Sequence, residues 1–359
     1  MNIAVISFTQ NGRLLARRIA GYLENGNHNV SIDMKCASSK DSIKYTLSEW
    51  TDRQFQKKDA LIFVGAVGIA VRAIAPYVRS KVTDPAVLVI DEKGNYCIPL
   101  LSGHIGGANE LAAYICKGIQ AIPVITTATD LNQKWAVDVF ASKNGLHIQN
   151  MQRAKEISAR ILEGEKIGIE FQNPESTPDM EGRLPEGIFL WSESKSDYQE
   201  CSRQEPDISI GIYKRPEYQR TLSLIPKAVT VGIGCRKGTS ADQIESAVNK
   251  VLLREGIWKE SILKAASIDL KAEEPGILEY CRRQKIEFSV YSADELRRVE
   301  GHFSESDFVK RTTGIGNVCE RSAVCAGDSG NQGQLIVRKQ AEDGVTVALA
   351  AREWRVYFE

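Results

Sequence analysis

The sequence predicts an α/β fold. It has a doubly wound, mainly parallel sheet at the N-terminal end, a small α/β middle region and a second α/β domain at the C-terminal end. Three observations carry this. Strand-like and helix-like segments alternate along the chain. Ala60-Leu-Ile-Phe-Val64 is apolar without interruption, as a strand covered on both faces requires. A fresh strand, glycine loop and helix start at Ala228, where a new domain can begin. The 359 residues suffice for two or three cores, and the expected boundaries are 1–141, 142–227 and 228–359.

Met1–Phe8 reads as a strand running into a polar turn, without the basic opening or long apolar segment of a secretory leader. A helix is expected over 11–24, with Leu14, Leu15, Ile19 and Leu23 on one face. Asn29–Asp33 is a second strand, Ser42–Phe55 a second helix and Ala60–Val64 a third strand. The stretch Gly65–Arg72 then enters a helix, with Arg72 about one turn in. Val87–Ile90 and Tyr96–Ile98 are short strands around the turn Asp91–Asn95, and Leu111, Ala112, Ile115 and Cys116 form a helical stripe that Gly118 can close. Ala121–Ile125 is a further strand, ending in Thr126, Thr127 and Asp130.

From 142 to 227 the signals soften to a helix over 152–163 and strands at 166–171, 187–191 and 208–213, with a proline-rich loop over 173–185. In the last third, Ala228–Ser240 is a strand and glycine loop leading into a helix with a capping box, Ser240 with Gln243. Ala265–Lys271 is a strand end before an acidic helix start at Glu273-Glu274. Thr313–Glu320 is another glycine loop, and 334–339 with 344–349 a closing hairpin.

Composition excludes several classes of function. Lys+Arg and Asp+Glu both number 46, so no global field draws the chain to nucleic acid or to an anionic membrane. No stretch approaches the roughly 18 apolar residues of a membrane helix. The 8 cysteines are unpaired in sequence, and several sit in apolar runs (Cys97, Cys116, Cys319). That pattern suits reduced thiols in a cytoplasmic enzyme better than disulfides or a zinc site, and the 4 histidines lack ligand spacing. The expectation is no metal site.

The chemistry is expected in Pro99-Leu-Leu-Ser-Gly-His-Ile-Gly-Gly-Ala-Asn-Glu110. Three glycines allow close backbone approach, and a helix N-terminus favours negative charge. No Lys-Ser/Thr pair follows the last glycine, so this is not a Walker loop. It is either a tight strand-to-helix turn with His104 as a satisfied polar residue, or a binding site. The glycines at 232, 234 and 238 miss the dinucleotide spacing, because Lys237 takes the third glycine's place. Arg236 and Lys237 there make either a carboxylate cradle or a solvated basic turn.

The stretch PLLSGHIGGANELA resembles the signature of the cobalt-precorrin-5A hydrolases, the CbiG family of anaerobic cobalamin biosynthesis. Further blocks are similar in the same order: Gly68, Ile69, Val71 and Arg72; Thr126, Thr127 and Asp130; GIGCRKGT at 232–239; Ser267, Ile268, Asp269 and Lys271; and Cys319-Glu320. The family commonly continues the last pair with proline and alanine, where this chain has Arg321 and Ser322.

The resemblance implies hydrolysis of a cobalt-containing tetrapyrrole, with opening of a δ-lactone by water and release of acetaldehyde. It implies a cobalt carried by the substrate, no organic cofactor, and neighbouring enzymes of the pathway as further partners. His104, with its reference pKa of about 6.5, is the expected base, with Glu110 and Asp130 as further candidates. Expected substrate contacts are Gly68, Arg72, Ser102, Gly103, Gly106, Gly107, Asn109, Thr126, Thr127, Gly234, Arg236, Lys237, Asp269, Lys271 and Glu320. The loops at 65–72 and 102–109 are expected together at one end, facing those at 232–238 and 314–320 across a cleft.

Overall fold

The computed structural model describes residues 1–37, 39–80, 83–103, 106–127, 134–172, 180–192, 205–327 and 332–358. The chain divides into two compact units, Met1–Val139 and Phe140–Glu359.

The first unit is built on a six-stranded sheet in the order β2-β1-β3-β4-β5-β6. Its strands are β1 (Asn2–Ser7), β2 (Asn29–Met34), β3 (Ala60–Val64), β4 (Ala86–Ile90), β5 (Tyr96–Leu101) and β6 (Ile122–Pro123). The first four are mutually parallel. β5 turns back antiparallel to β4, and β6 runs parallel to β5. Helices α1 (Gln10–Asn25) and α4 (Ala108–Ile119) supply one core with Ile3, Val5, Ile62 and Leu88. Helices α2 (Leu47–Phe55) and α3 (Val67–Ile74) cover the other face, around Ala4, Ile6, Trp50, Leu61 and Phe63. β3 and β4 are buried along their whole length, as strands with helices on both faces must be.

Local chemistry moves some boundaries. α2 starts at Leu47 instead of Ser42, because Thr46 and Glu49 form a capping box that fixes its first turn. α4 does not stop at Gly118: it runs to Ile119, and Gln120 takes the left-handed conformation that ends it. Gly118 serves packing, since a Cβ there would lie 2.4 Å from the Tyr22 ring. Leu14 is 65% exposed and falls outside the buried face, which uses Leu15, Ile19 and Leu23 with Gly12, Ala16 and Ala20. The strand expected over 121–125 is shorter, Ile122–Pro123, although Val124 N still donates to Cys97 O at 2.8 Å; Pro123, without an N–H, is accommodated because β6 is the edge strand of the sheet.

The second unit holds two five-stranded sheets. One has the order β10-β8-β11-β12-β7, from β7 (Leu146–Ile148), β8 (Ile167–Phe171), β10 (Ile188–Leu190), β11 (Ile208–Ile210) and β12 (Leu222–Pro226). It is parallel except at β7. The other has the order β15-β14-β13-β17-β16, from β13 (Val229–Cys235), β14 (Ile262–Ile268), β15 (Glu287–Tyr291), β16 (Gln334–Glu342) and β17 (Val345–Ala351). β13, β14 and β15 are parallel, and β17 runs antiparallel to β13. The β16–β17 turn uses Asp343 and Gly344, both with positive φ, as a two-residue hairpin turn of that hand requires.

The chain end leaves the last sheet: β18 (Val356–Tyr357) pairs with β9 (Met180–Glu181), and Phe358 stacks on Phe140 at 4.6 Å. Seven cysteines fall in the described residues, with Cys97, Cys116, Cys281 and Cys319 buried. Burial pushes the Cys281 and Cys319 thiols up to about 12, so neither is a thiolate at neutral pH. Among the described residues, no helix is long and apolar enough to cross a membrane.

Candidate active site

The glycine loop 102–107 is shaped by its first residue. Ser102 is buried and adopts φ +56°, a left-handed backbone that a non-glycine residue holds only when its surroundings fix it. They do: its Oγ donates to the Asp84 carbonyl at 2.8 Å, and its own carbonyl accepts from Ala108 N at 3.1 Å. Gly106 lies against it so closely that a Cβ would sit 2.3 Å from Ser102 Cβ, which only glycine tolerates. Gly103 accepts from Asn109 N at 3.0 Å, and Gly107 enters α4 with φ +76°. Two amides at the start of α4 are thus bound by the loop's own carbonyls.

Asn109, 7% exposed, turns its Nδ2 to donate to Thr127 Oγ1 at 3.0 Å. That bond joins the glycine loop to the chain leaving β6, with Thr126 exposed beside it. Glu110 is exposed in the first turn of α4, where a carboxylate also favours the helix dipole. His104 and Asp130 lie outside the described residues. Ser102, Gly103, Gly106, Gly107, Asn109, Thr126 and Thr127 form one neighbourhood at the carboxyl ends of β5 and β6.

The loop at 65–72 does not join them. Gly65 N donates to Ile90 O at 2.8 Å, level with Cys97, whereas Leu101 pairs with Val87. Because β5 runs back along β4, the two glycine loops stand at opposite ends of the sheet, about 13 Å apart along the strands. Gly68 and Arg72 are exposed there, and Arg72 Nη1 donates to the Gly68 carbonyl at 3.1 Å. The expectation that both loops share one end is therefore corrected; the hairpin at 91–95 reverses the chain between them.

In the second unit, the loop after β13 carries Arg236 and Lys237, both exposed and in no salt bridge among the described residues. Gly238 follows with φ +79°, and its N–H donates to Glu274 Oε1 at 2.7 Å. The other oxygen of Glu274 accepts from Lys271 Nζ at 2.8 Å. The Lys271 ammonium, followed by the Gly238 amide, holds the Glu274 carboxyl below its ordinary range, against the opposing effect of burial. The Gly238 amide and Lys271 are thus taken by an internal carboxylate, and the Arg236 and Lys237 side chains are left as the exposed cations of this loop.

Helix α5 (Val137–Lys143) and α6 (Met151–Leu162) precede α7 (Ala241–Arg254), whose N-terminus is closed by the Ser240–Gln243 capping box. Gly234 faces Thr346, whose Oγ1 donates to the Gly234 carbonyl at 3.1 Å. Asp269 is exposed, and its Oδ1 accepts from Leu270 N at 2.7 Å. Glu320 is fully buried, and its carboxylate accepts from Ser304 N at 2.8 Å, Ser304 Oγ at 3.1 Å and Lys339 N at 2.7 Å. These bonds tie the loop before it to β16, so the described partners of Glu320 are internal. The acidic helix start expected at Glu273-Glu274 is present, but the Glu274 side chain turns away from its own helix to Gly238 N and Lys271 Nζ, a pairing the sequence does not signal. Among the described residues, no group of three or more His, Cys, Asp or Glu side chains is placed to hold a metal.

Three family models match in chain order: Cobalamin synthesis G N-terminal at residues 49–130, Cobalamin biosynthesis central region at 135–226 and Cobalamin synthesis G C-terminus at 229–350. A protein named cobalt-precorrin-5A hydrolase from Salmonella typhimurium is 32% identical, over 97% of this chain and 97% of its own. One of the same name from Priestia megaterium is 32% identical, over 82% of this chain and 79% of its own. A cobalamin biosynthesis protein G homologue from Sulfolobus solfataricus, of solved structure, is 25% identical and covers 98% of this chain and 97% of its own, with a TM-score of 0.41. Matched along nearly its whole length, with the glycine loop 102–107 inside the first family model, the chain belongs to the CbiG family of cobalt-precorrin-5A hydrolases.

Proposed function

We propose that this chain is a cobalt-precorrin-5A hydrolase of cobalamin biosynthesis. The observation that carries this is the 32% identity, over 97% of both chains, to a protein of that name. Water attacks the δ-lactone carbonyl of the tetrapyrrole, giving a ring acetate and a free alcohol. The alcohol then loses its proton, the adjoining carbon–carbon bond breaks, and the two-carbon unit leaves as acetaldehyde. The electron pair passes into the conjugated macrocycle, so the chemistry asks for no organic cofactor, and the cobalt belongs to the substrate.

The first step needs a base and donors for the developing oxyanion. His104 is the base in this reading, and the Gly106 and Gly107 amides are the donors, since those of Ala108 and Asn109 are spent on Ser102 and Gly103. Glu110 and Asp130 are the reserve candidates. Cobalt-precorrin-5A mixed with the purified chain should yield acetaldehyde in proportion to substrate consumed. Tight binding of the tetrapyrrole with no acetaldehyde would leave a carrier instead of an enzyme.

Arg236 and Lys237 are assigned to the peripheral carboxylates of the substrate, being exposed and without salt-bridge partners among the described residues. The double substitution Arg236→Ala/Lys237→Ala is expected to raise KM about tenfold at low salt with little change in kcat, the mark of lost uniform binding. The effect should shrink at high ionic strength, where exposed charges are screened. An unchanged KM at low salt would remove both residues from the substrate site.

A further inference from the structure

The basic loop after β13 is tethered more firmly than exposed turns usually are. Thr239 Oγ1 donates to the Arg236 carbonyl at 2.8 Å, closing the turn around Lys237 and Gly238. The first turn of α8 (Pro275–Gln284) presses on it from below: a Cβ on Gly276 would lie 1.9 Å from the Thr239 carbonyl oxygen. The third tether is Glu274. It occupies the N-cap position of α8 but makes no capping bond to that helix. Its side chain, 5% exposed, instead reaches across to Gly238 N and Lys271 Nζ.

A carboxylate at a helix N-terminus ordinarily serves its own helix. Here it spends one oxygen on a left-handed glycine and the other on a lysine. Two consequences follow. The Gly238 amide is fixed, which sets the direction of the Arg236-Lys237 tip. The charge of Lys271 is offset in place, so the loop presents the two exposed cations and not three.

We propose that Glu274 is a positioning residue for substrate binding, holding Arg236 and Lys237 in the orientation that meets substrate carboxylates without touching the substrate itself. This rests on the hydrolase reading above. A pre-set loop has less freedom to lose when ligand binds, so the contribution should appear in KM and not in kcat.

The test uses the full chain and cobalt-precorrin-5A, with acetaldehyde as readout. Glu274→Ala is expected to raise KM about tenfold, with kcat within about threefold of the original, and to speed hydrogen exchange at the Gly238 amide. Glu274→Gln keeps an acceptor for Gly238 N and should stay within about threefold of the original KM. In the Arg236→Ala/Lys237→Ala background, Glu274→Ala should add little, because the groups it orients are gone. Gly238→Ala, which strains the left-handed position without touching Glu274, should raise KM in the same way and decides the matter if Glu274→Ala does not fold.

An unchanged KM in Glu274→Ala overturns the inference. So does a Glu274→Gln variant as impaired as Glu274→Ala, or an undiminished effect in the doubly substituted background. Acetaldehyde release by the unsubstituted chain separates the two levels. If it is absent, the hydrolase reading falls and this inference with it. If it is present while KM ignores Glu274, this inference falls alone.

Discussion

Replacing His104 with alanine is expected to lower the rate of acetaldehyde release by about 10²–10⁴-fold, the usual range for loss of a positioned acid–base group. The chain has 4 histidines, and the other three lie outside the glycine loop. His28 lies 3.3 Å from the Met1 amino group through Nδ1 and packs edge-on against Tyr114. His147 sits in β7, paired with Ile225 in the sheet ladder. His302 is exposed, and the loop it stands in lies between α9 (Ala293–Arg298) and α10 (Asp307–Thr313). His104, outside the described residues, follows Gly103 in the sequence; the flanking Ser102 is fixed through its Oγ to the Asp84 carbonyl, and Ala108 N donates to the Ser102 carbonyl. In the unsubstituted chain the rate should fall toward acid pH, because protonation of the imidazole removes the base. The residual activity of His104→Ala should lack that limb. Turnover at the original rate would make His104 structural and turn attention to Glu110 or Asp130.

The local geometry of the glycine loop is legible in the sequence, because its causes are local. Glycines in a strand-to-helix loop have few explanations, and Gly106 against Ser102 is the close approach such a glycine permits. The capping box at Ser240 and Gln243 was readable because side chain and backbone interact within one turn. What failed was long-range. The turn at 91–95 predicts two joined strands, yet its consequence, that β5 runs back and carries its loop to the far end of the sheet, requires the pairing register. Gly118 looked like a helix stop by residue type, but its neighbour Tyr22 is 96 positions away in sequence and invisible to any local pattern. Glu274 was hidden for the same reason: its partner Gly238 lies 36 residues earlier.

Substituting Gly232 by alanine is expected to destabilise the second unit by about 3 kcal/mol or more, at or above the top of the usual range for overpacking. Helix α11 (Cys319–Cys325) rests directly on β13 at this point. A Cβ on Gly232 would lie 1.8 Å from the Cys319 carbonyl oxygen and 3.0 Å from the Ala323 methyl. The nearest obstacle is backbone, so no rotamer change relieves it. The helix is also held to the sheet by side chains: Thr230 Oγ1 donates to Ala323 O at 2.6 Å, and the Ser322 hydroxyl lies between Cys319 O at 3.2 Å and Ala266 O at 3.3 Å. Lifting α11 to admit one methyl would stretch the Thr230 bond and disturb Glu320, whose buried carboxylate loses its Ser304 and Lys339 donors if it moves. At about 2–4 °C per kcal/mol for a unit of this size, the melting temperature should fall by roughly 6–12 °C. Gly21→Ala provides the contrast. It lies within α1, a Cβ there meets nothing within 4 Å, and glycine inside a helix costs about 0.5–1 kcal/mol relative to alanine. That variant should melt at or above the original temperature. If Gly232→Ala melts with it, α11 is not seated on β13 as described, and the buried support of the 314–320 loop goes with that contact.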